Sequence, residues 1–95
     1  MIINFKSALL QRMWEEADMT LLPNTYVHEV AEILMLLDAV EIINDLVLLG
    51  GFVVNEYKPD NWAVTVTVND VEPIGSITCY FTKGSAYDVD LNEYS

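Results

Sequence analysis

The sequence has very little positive charge and a single cysteine. Its 95 residues include four Lys and Arg against fifteen Asp and Glu, which gives a formal net charge of -11 at pH 7. This charge repels the phosphates of nucleic acids and of anionic membranes, so we expect no direct binding to either. Cys79 has no second cysteine to pair with, which excludes an internal disulfide. We expect its thiol to pack in the core of a cytoplasmic protein, in the host cytoplasm if a phage encodes it.

Long uninterrupted apolar runs are also missing. The most apolar stretch, residues 33–52, contains Asp38, Glu41 and Asp45, too many charges for a segment that must cross roughly 30 Å of hydrocarbon. The first residues show neither the basic region nor the apolar segment of a secretory leader, so we expect none. Because 53% of the residues are apolar, the chain can bury one core. We predict a single acidic α+β domain over residues 1–95.

Residues suited to catalysis are scarce. His28 is the only histidine, and the sequence has no glycine-rich phosphate loop and no Ser/His/Asp pattern. His28 and Glu32 have the spacing of two metal ligands on a helix, but no second histidine is available to complete a site. Asp88 and Asp90 begin a stretch similar to a calcium loop, yet Glu93 stands where that loop needs glycine. We predict that the protein is not an enzyme and has no catalytic residue, metal ion or cofactor.

The first half of the chain consists mostly of helix-forming residues. Over residues 4–18, apolar side chains recur at helical spacing, which predicts an amphipathic helix. Its predicted apolar face comprises Phe5, Leu9, Met13 and Trp14. We expect this helix to end before Pro23 and the next one to begin with Asn24 or Thr25 as its capping residue.

Residues 26–49 carry polar side chains on two nearly opposite faces of a helix. One straight helix in a monomer cannot bury both of the apolar faces that remain. We predict that one helix stops near Leu37 and a second begins with Asp38 as its N-cap and Glu41 three residues later, the reciprocal capping pattern. The alternative is one continuous helix whose second apolar face is buried in a homodimer.

After Gly50 and Gly51, which we expect to end the helical half, apolar and polar residues alternate as in half-buried antiparallel strands. The predicted strands cover residues 52–57, 62–68, 76–81 and 87–92, with turns at 59–61, 69–75 and 83–85. In the last strand Tyr87, Val89 and Leu91 are predicted to face inward. The predicted fold class is α+β, with two or three N-terminal helices packed on one face of a C-terminal antiparallel sheet meander of three to four strands.

The surplus of carboxylates is the main signal for function. Four basic residues cannot neutralise fifteen acidic ones, and such uncompensated charge suits a partner that supplies the opposite charge. Asp88 and Asp90 would lie about 6.6 Å apart on a regular strand, comparable to neighbouring phosphates. We predict an inhibitory binding protein, a nucleic-acid mimic, that blocks the basic groove of a nuclease, a restriction enzyme, a CRISPR effector or another nucleic-acid-binding protein. A phage antagonist of host defence and a toxin-immunity protein are two forms of this mechanism.

The predicted partner-binding residues are of two kinds. The carboxylates are Glu29, Glu32, Asp38, Glu41, Asp45, Asp88 and Asp90. The aromatic anchors are Tyr57, Tyr80 and Tyr94. The alternative function is a small homodimeric structural or assembly module. In that case the apolar helix face over residues 34–49 forms the interface, and the acidic surface only keeps the protein solvated.

Overall fold

Three helices are followed by a four-stranded antiparallel sheet in the computed structural model, which describes residues 1–68 and 71–94. The helices are α1 (Ala8–Glu16), α2 (Val27–Ala39) and α3 (Asp45–Gly50). The strands are β1 (Val54–Lys58), β2 (Asn61–Val68), β3 (Glu72–Thr82) and β4 (Ser85–Glu93), and they lie in that order across the sheet. The predicted α+β meander is confirmed.

The first residues of the chain form an extended segment along the outer edge of β4. The Ile3 N–H donates to the Ala86 carbonyl at 2.8 Å, and the Lys6 N–H donates to the Val89 carbonyl at 2.9 Å. The segment runs parallel to β4. The helix predicted from residue 4 therefore starts later, because the backbone groups before it pair with a strand instead. This edge of the sheet is covered.

Helix α1 begins after Ser7, whose Oγ accepts the Leu10 N–H at 3.1 Å and so caps the helix. Leu10 and Met13 are its buried residues. Leu9, which was predicted to face the core, is 39% exposed. The apolar face therefore differs from the predicted one, because the helix starts later and Leu10 occupies the inward position. The helix ends well before Pro23, as predicted.

The predicted cap of α2 is wrong. The N-cap residue is Tyr26, and its side chain makes no capping hydrogen bond. The N–H groups of Tyr26 and Val27 both donate to the Pro23 carbonyl, at 3.2 and 3.0 Å. The turn after the proline thus satisfies these donors without the side chains of Asn24 or Thr25.

The long apolar stretch is divided into two helices, as predicted, but at a different place. Helix α2 ends at Ala39, because Val40 is extended, with φ -81° and ψ 147°. Helix α3 begins at Asp45, so the alternative of one continuous helix is wrong. Asp38 is not an N-cap. It lies within α2, and its carboxylate accepts the Ile2 N–H at 2.9 Å.

Two glycines end the helical half, as predicted. Gly51 has a left-handed backbone, with φ 68°, which glycine adopts without steric cost. A β-carbon at Gly50 would lie 2.5 Å from the Phe52 ring and 2.9 Å from Leu36 of α2. The missing side chain at Gly50 therefore permits a close approach between α2 and the end of α3.

The core lies on one face of the sheet, between the strands and the helices. Its strand residues are Val64, Val66, Ile77, Cys79, Phe81, Ala86 and Val89. Its helix residues include Leu10, Val27, Ile33, Leu34, Leu37 and Leu46. The alternation predicted for the second and third strands is confirmed. Strand β3 starts at Glu72, earlier than predicted, and residues 69 and 70 of the predicted turn lie outside the described residues.

Strand β4 contains an extra residue that changes which side chains face the core. Residues 88 and 89 stand opposite a single residue of β3, and Asp88 has φ 54°, which together form a β-bulge. Before the bulge, Ala86 is buried and Tyr87 faces outward against Tyr80, with the ring centroids 6.0 Å apart. The prediction that Tyr87 points inward is wrong, because the bulge inverts the alternation on one side of it. Val89 is buried, as predicted.

Candidate functional site

A shallow cavity of about 690 Å³ lies on the outer face of the sheet, and we call it the sheet basin. Four of the predicted partner-binding residues line it: Tyr57, Tyr80, Asp88 and Asp90. Lys6 and Lys58, two of the four basic residues of the chain, line it as well. Because two lysines stand against two aspartates, the basin is close to neutral. The carboxylate surplus is therefore concentrated elsewhere.

The two aspartates of the sheet basin are positioned by the bulge of β4. The Asp88 N–H donates to Oδ1 of Asn4 at 2.7 Å, and the Asp90 carboxylate accepts the Leu91 N–H at 3.0 Å. Asp88 has a left-handed backbone, so these are not successive outward residues of a regular strand. The expected spacing of about 6.6 Å between Asp88 and Asp90 holds for a regular strand and therefore does not apply here.

A second cavity, of about 400 Å³, lies between α2 and the connection from α3 to β1. We call it the helix groove. It is lined by Glu29, Glu32, Gly50, Gly51, Phe52, Val53, Thr65 and Thr67. None of these residues is basic, and residues 13–57 as a whole contain no Lys or Arg but nine of the fifteen acidic residues. The helix groove therefore lies in the most acidic part of the chain.

The two glutamates of the helix groove differ in their contacts. Glu29 accepts the Thr67 N–H at 2.5 Å through Oε2 and the Thr67 hydroxyl at 3.1 Å through Oε1. Glu32 makes no hydrogen bond or ion pair with any residue in 1–68 or 71–94. Glu29 is thus held in place by the sheet, whereas the Glu32 carboxylate remains available to another molecule.

Exposed apolar side chains occur at Val53 of the helix groove and close in the chain to Glu32 and Gly50, which line it. Met35, one turn after Glu32, is 63% exposed, and Val53, which lines the groove, is 59% exposed. Leu48 and Leu49, just before Gly50, are 80% and 69% exposed. We call Met35, Leu48, Leu49 and Val53 the apolar rim. Single exposed apolar residues are ordinary, but several together beside a cavity are typical of an interaction surface.

Four predicted partner-binding residues line neither cavity: Asp38, Glu41, Asp45 and Tyr94. The Asp38 carboxylate is occupied by the Ile2 N–H. Glu41 lies beside the turn before β4, where a β-carbon at Gly84 would be 3.0 Å from its Oε2. The structure thus brings four of the ten predicted residues together in the sheet basin and two in the helix groove.

Sequence reasoning missed the lysines of the sheet basin and, of the apolar rim, Val53; the other three rim residues belong to the apolar helix face predicted over residues 34–49. The lysines were missed because Lys6 and Lys58 lie far apart in sequence and meet only through the fold. A signal for the apolar rim was present, since residues 46–49 are all apolar within a helix of six residues. So short a helix has one buried face, and only Leu46 of these four is buried.

Cys79 is buried among the core residues, and desolvation raises the pKa of its thiol to about 12. A thiol with this pKa stays protonated at neutral pH, and the thiolate is the nucleophilic form.

Within residues 1–68 and 71–94, no three His, Cys, Asp or Glu side chains are grouped to hold a metal ion. In the same part of the chain, no helix combines the length and apolarity needed to cross a bilayer.

No protein-family model matches the sequence, and comparison with curated proteins gives no match. Function is therefore inferred from the geometry and charge of the two surfaces.

Proposed function

We propose that this chain is a binding protein, not an enzyme, and that its acidic helical side blocks a basic groove of a nucleic-acid-handling protein. One observation carries the proposal: within the described residues a single ion pair forms, between Arg12 and Glu16 at 3.5 Å. Within that part of the structure no other carboxylate lies within 4.0 Å of a cationic nitrogen. Their mutual repulsion is relieved when a partner supplies positive charge.

The helical half is the side that we propose makes contact. It contains no Lys or Arg from residue 13 to residue 57, and Glu32 and Glu41 are exposed there. Long-range attraction between such a surface and a cationic groove accelerates association and weakens as salt is added. The sheet basin contributes less to this attraction, because its two aspartates are accompanied by Lys6 and Lys58.

Proteins that bind nucleic acids neutralise phosphates with clusters of Lys and Arg, and such clusters also attract an acidic protein. The partners that we propose are a nuclease, a restriction enzyme or a CRISPR effector in the same cytoplasm. Both a phage antagonist and a toxin-immunity protein would act in this way. In either case the inhibitor competes with DNA or RNA for the groove.

The experiment is a binding assay of the purified protein against a panel of basic nucleases, with cytochrome c as a basic protein that has no nucleic-acid groove. We expect association with a nuclease that weakens at high salt and is displaced by duplex DNA. The double variant Glu32→Gln and Glu41→Gln should bind more weakly and with less dependence on salt. Binding that neither salt nor these substitutions change contradicts the proposal, as does equal binding to cytochrome c.

A homodimeric assembly module is the second candidate function, and the exposure of Leu48 and Leu49 favours it. Two copies that pack through these side chains would bury apolar surface at the cost of bringing acidic helices together. Sedimentation equilibrium measures the mass in solution. A dimer that persists at low salt and ignores every basic protein supports this second candidate.

A further inference from the structure

We propose that the helix groove receives one Lys or Arg side chain of the partner, and that apolar neighbours of that side chain cover the apolar rim. The inference rests on the proposed function, because it specifies which surface of the acidic side makes contact. The occupant is therefore a protein segment with a single cation flanked by apolar residues.

The floor of the helix groove is suited to a cation. The carboxylate of Glu29 is held by two hydrogen bonds from Thr67, so little side-chain freedom is lost when a cation binds beside it. Glu32 lines the same cavity and makes no hydrogen bond to the described residues. A Lys or Arg entering the groove thus meets one fixed carboxylate and one that is still without a partner.

The apolar rim is suited to apolar neighbours of that cation. Met35 lies one helical turn after Glu32, Leu49 directly precedes Gly50, and Val53 itself lines the cavity. Covering these side chains removes apolar surface from water and also excludes water from the ion pair. Excluding water strengthens the Coulomb attraction within the ion pair, and the loss of hydration of the two charges opposes this gain. The rim therefore adds to affinity through the burial of its own apolar surface.

Charge complementarity favours a different protein over a second copy of this chain. Two copies that pack through their helix grooves would place two surfaces without Lys or Arg against each other. The cations that a second copy could offer are few, since Arg12 already pairs with Glu16 and two lysines lie in the sheet basin. A basic partner meets the same surface with attraction.

The experiment follows backbone amide shifts of the full chain by nuclear magnetic resonance during titration with three short peptides. The first has Arg between two Leu residues, the second has Arg between two Ser residues, and the third has Gln between two Leu residues. We expect the first peptide to shift the amides of Glu32, Gly50 and Val53. It should bind more tightly than either of the others, by at least about tenfold.

Matched variants separate the helix groove from the rest of the surface. Glu32→Gln removes an exposed negative charge and Leu49→Ser an exposed apolar side chain, and each should weaken binding of the first peptide by about tenfold. The controls are Glu15→Gln and Ile3→Ser, which make the same changes at a cavity of about 240 Å³ beside α1. Both controls should bind like the unchanged protein, and unshifted amides far from each substitution verify that a variant is folded.

Several results overturn the inference. Equal affinity for the three peptides is one such result, and amide shifts confined to the sheet basin are another. A dimer in sedimentation equilibrium that Leu49→Ser abolishes is the third, because it means that a second copy covers the apolar rim. If the groove variants retain salt-sensitive binding to a basic nuclease, this inference fails while the proposed function stands. If neither a nuclease nor the Arg peptides bind, both fail.

Discussion

Both carboxylate oxygens of Glu29 in α2 accept hydrogen bonds from Thr67 in β2. Two residues earlier in β2, the Thr65 N–H donates to the Val53 carbonyl at 2.9 Å. Within the described residues, this is the last backbone hydrogen bond on the edge of β2 that faces β1. The Glu29 side chain therefore satisfies an edge N–H that a longer β1 would have bound. At Thr67, a carboxylate from α2 thus accepts the hydrogen bond that a neighbouring strand would otherwise accept.

Replacing Glu29 by Ala should destabilise the protein by about 1–3 kcal/mol, because the Thr67 N–H loses its acceptor in a half-buried position. The matched control is Glu32→Ala on the next turn of α2, which removes no hydrogen bond seen in the structure. It should change stability by less than about 0.5 kcal/mol. Urea unfolding measures both variants, and equal losses would show that the Thr67 contact contributes nothing specific.

The two adjacent glycines should respond differently to substitution. Gly50→Ala places a β-carbon against the Phe52 ring and Leu36, so we expect a loss of about 1–3 kcal/mol that larger residues increase. At Gly51 there is space, and only the left-handed backbone resists a side chain. Gly51→Asn should therefore retain nearly all of the stability, because asparagine tolerates that conformation. Thermal unfolding distinguishes the two sites, and a harmless Gly50→Asn contradicts the close approach of α2 and α3.

The Cys79 thiol should be unreactive in the folded protein. Burial raises its pKa to about 12 from an ordinary value of 9.0. Above pH 9 the unfolded state loses a proton that the folded state keeps, so this thiol contributes stability that is present below pH 9 and is lost as the pH rises toward 12. Iodoacetamide should modify the native protein far more slowly than the urea-unfolded protein at the same pH. Similar rates would mean that Cys79 is accessible.

The Tyr26 hydroxyl donates to the Glu93 carboxylate at 2.9 Å. Burial, and then this hydrogen bond, raise the pKa of Tyr26 above 10.0. The stability that follows is present below pH 10 and is lost as the pH rises through the folded-state pKa. Glu93→Gln should lower the pKa of Tyr26 only part of the way to its ordinary value, because burial is the larger cause. Ultraviolet absorbance of the phenolate follows the titration, and Tyr26→Phe identifies the signal.

The fold class could be predicted because the buried residues follow simple periods. Val64 and Val66 in β2, and Ile77 and Phe81 in β3, alternate with polar residues and are all buried. The errors occur where a distant residue intervenes. Asp38 matches a capping pattern in sequence, yet its carboxylate binds the N–H of Ile2, a residue that only the fold brings near it.

The candidate site was predictable in its residue types but not in its grouping. The acidic excess and the number of tyrosines can be counted in the sequence, whereas the outward orientation of Tyr87 depends on one extra residue in β4. The structural role of Glu29 depends on Thr67, and no local pattern relates these two residues. Side-chain partners across the fold are set by packing, which periodicity does not specify.

The pairing of Ile3 with Ala86 joins the two ends of the described chain. During translation the segment that contains Ile3 leaves the ribosome before β4 has been synthesised, so it remains without its strand partner until β4 has emerged. Contacts between such distant positions also close the largest loop and form slowly. We therefore expect the segment before α1 to stay unpaired in nascent chains until β4 is available to it.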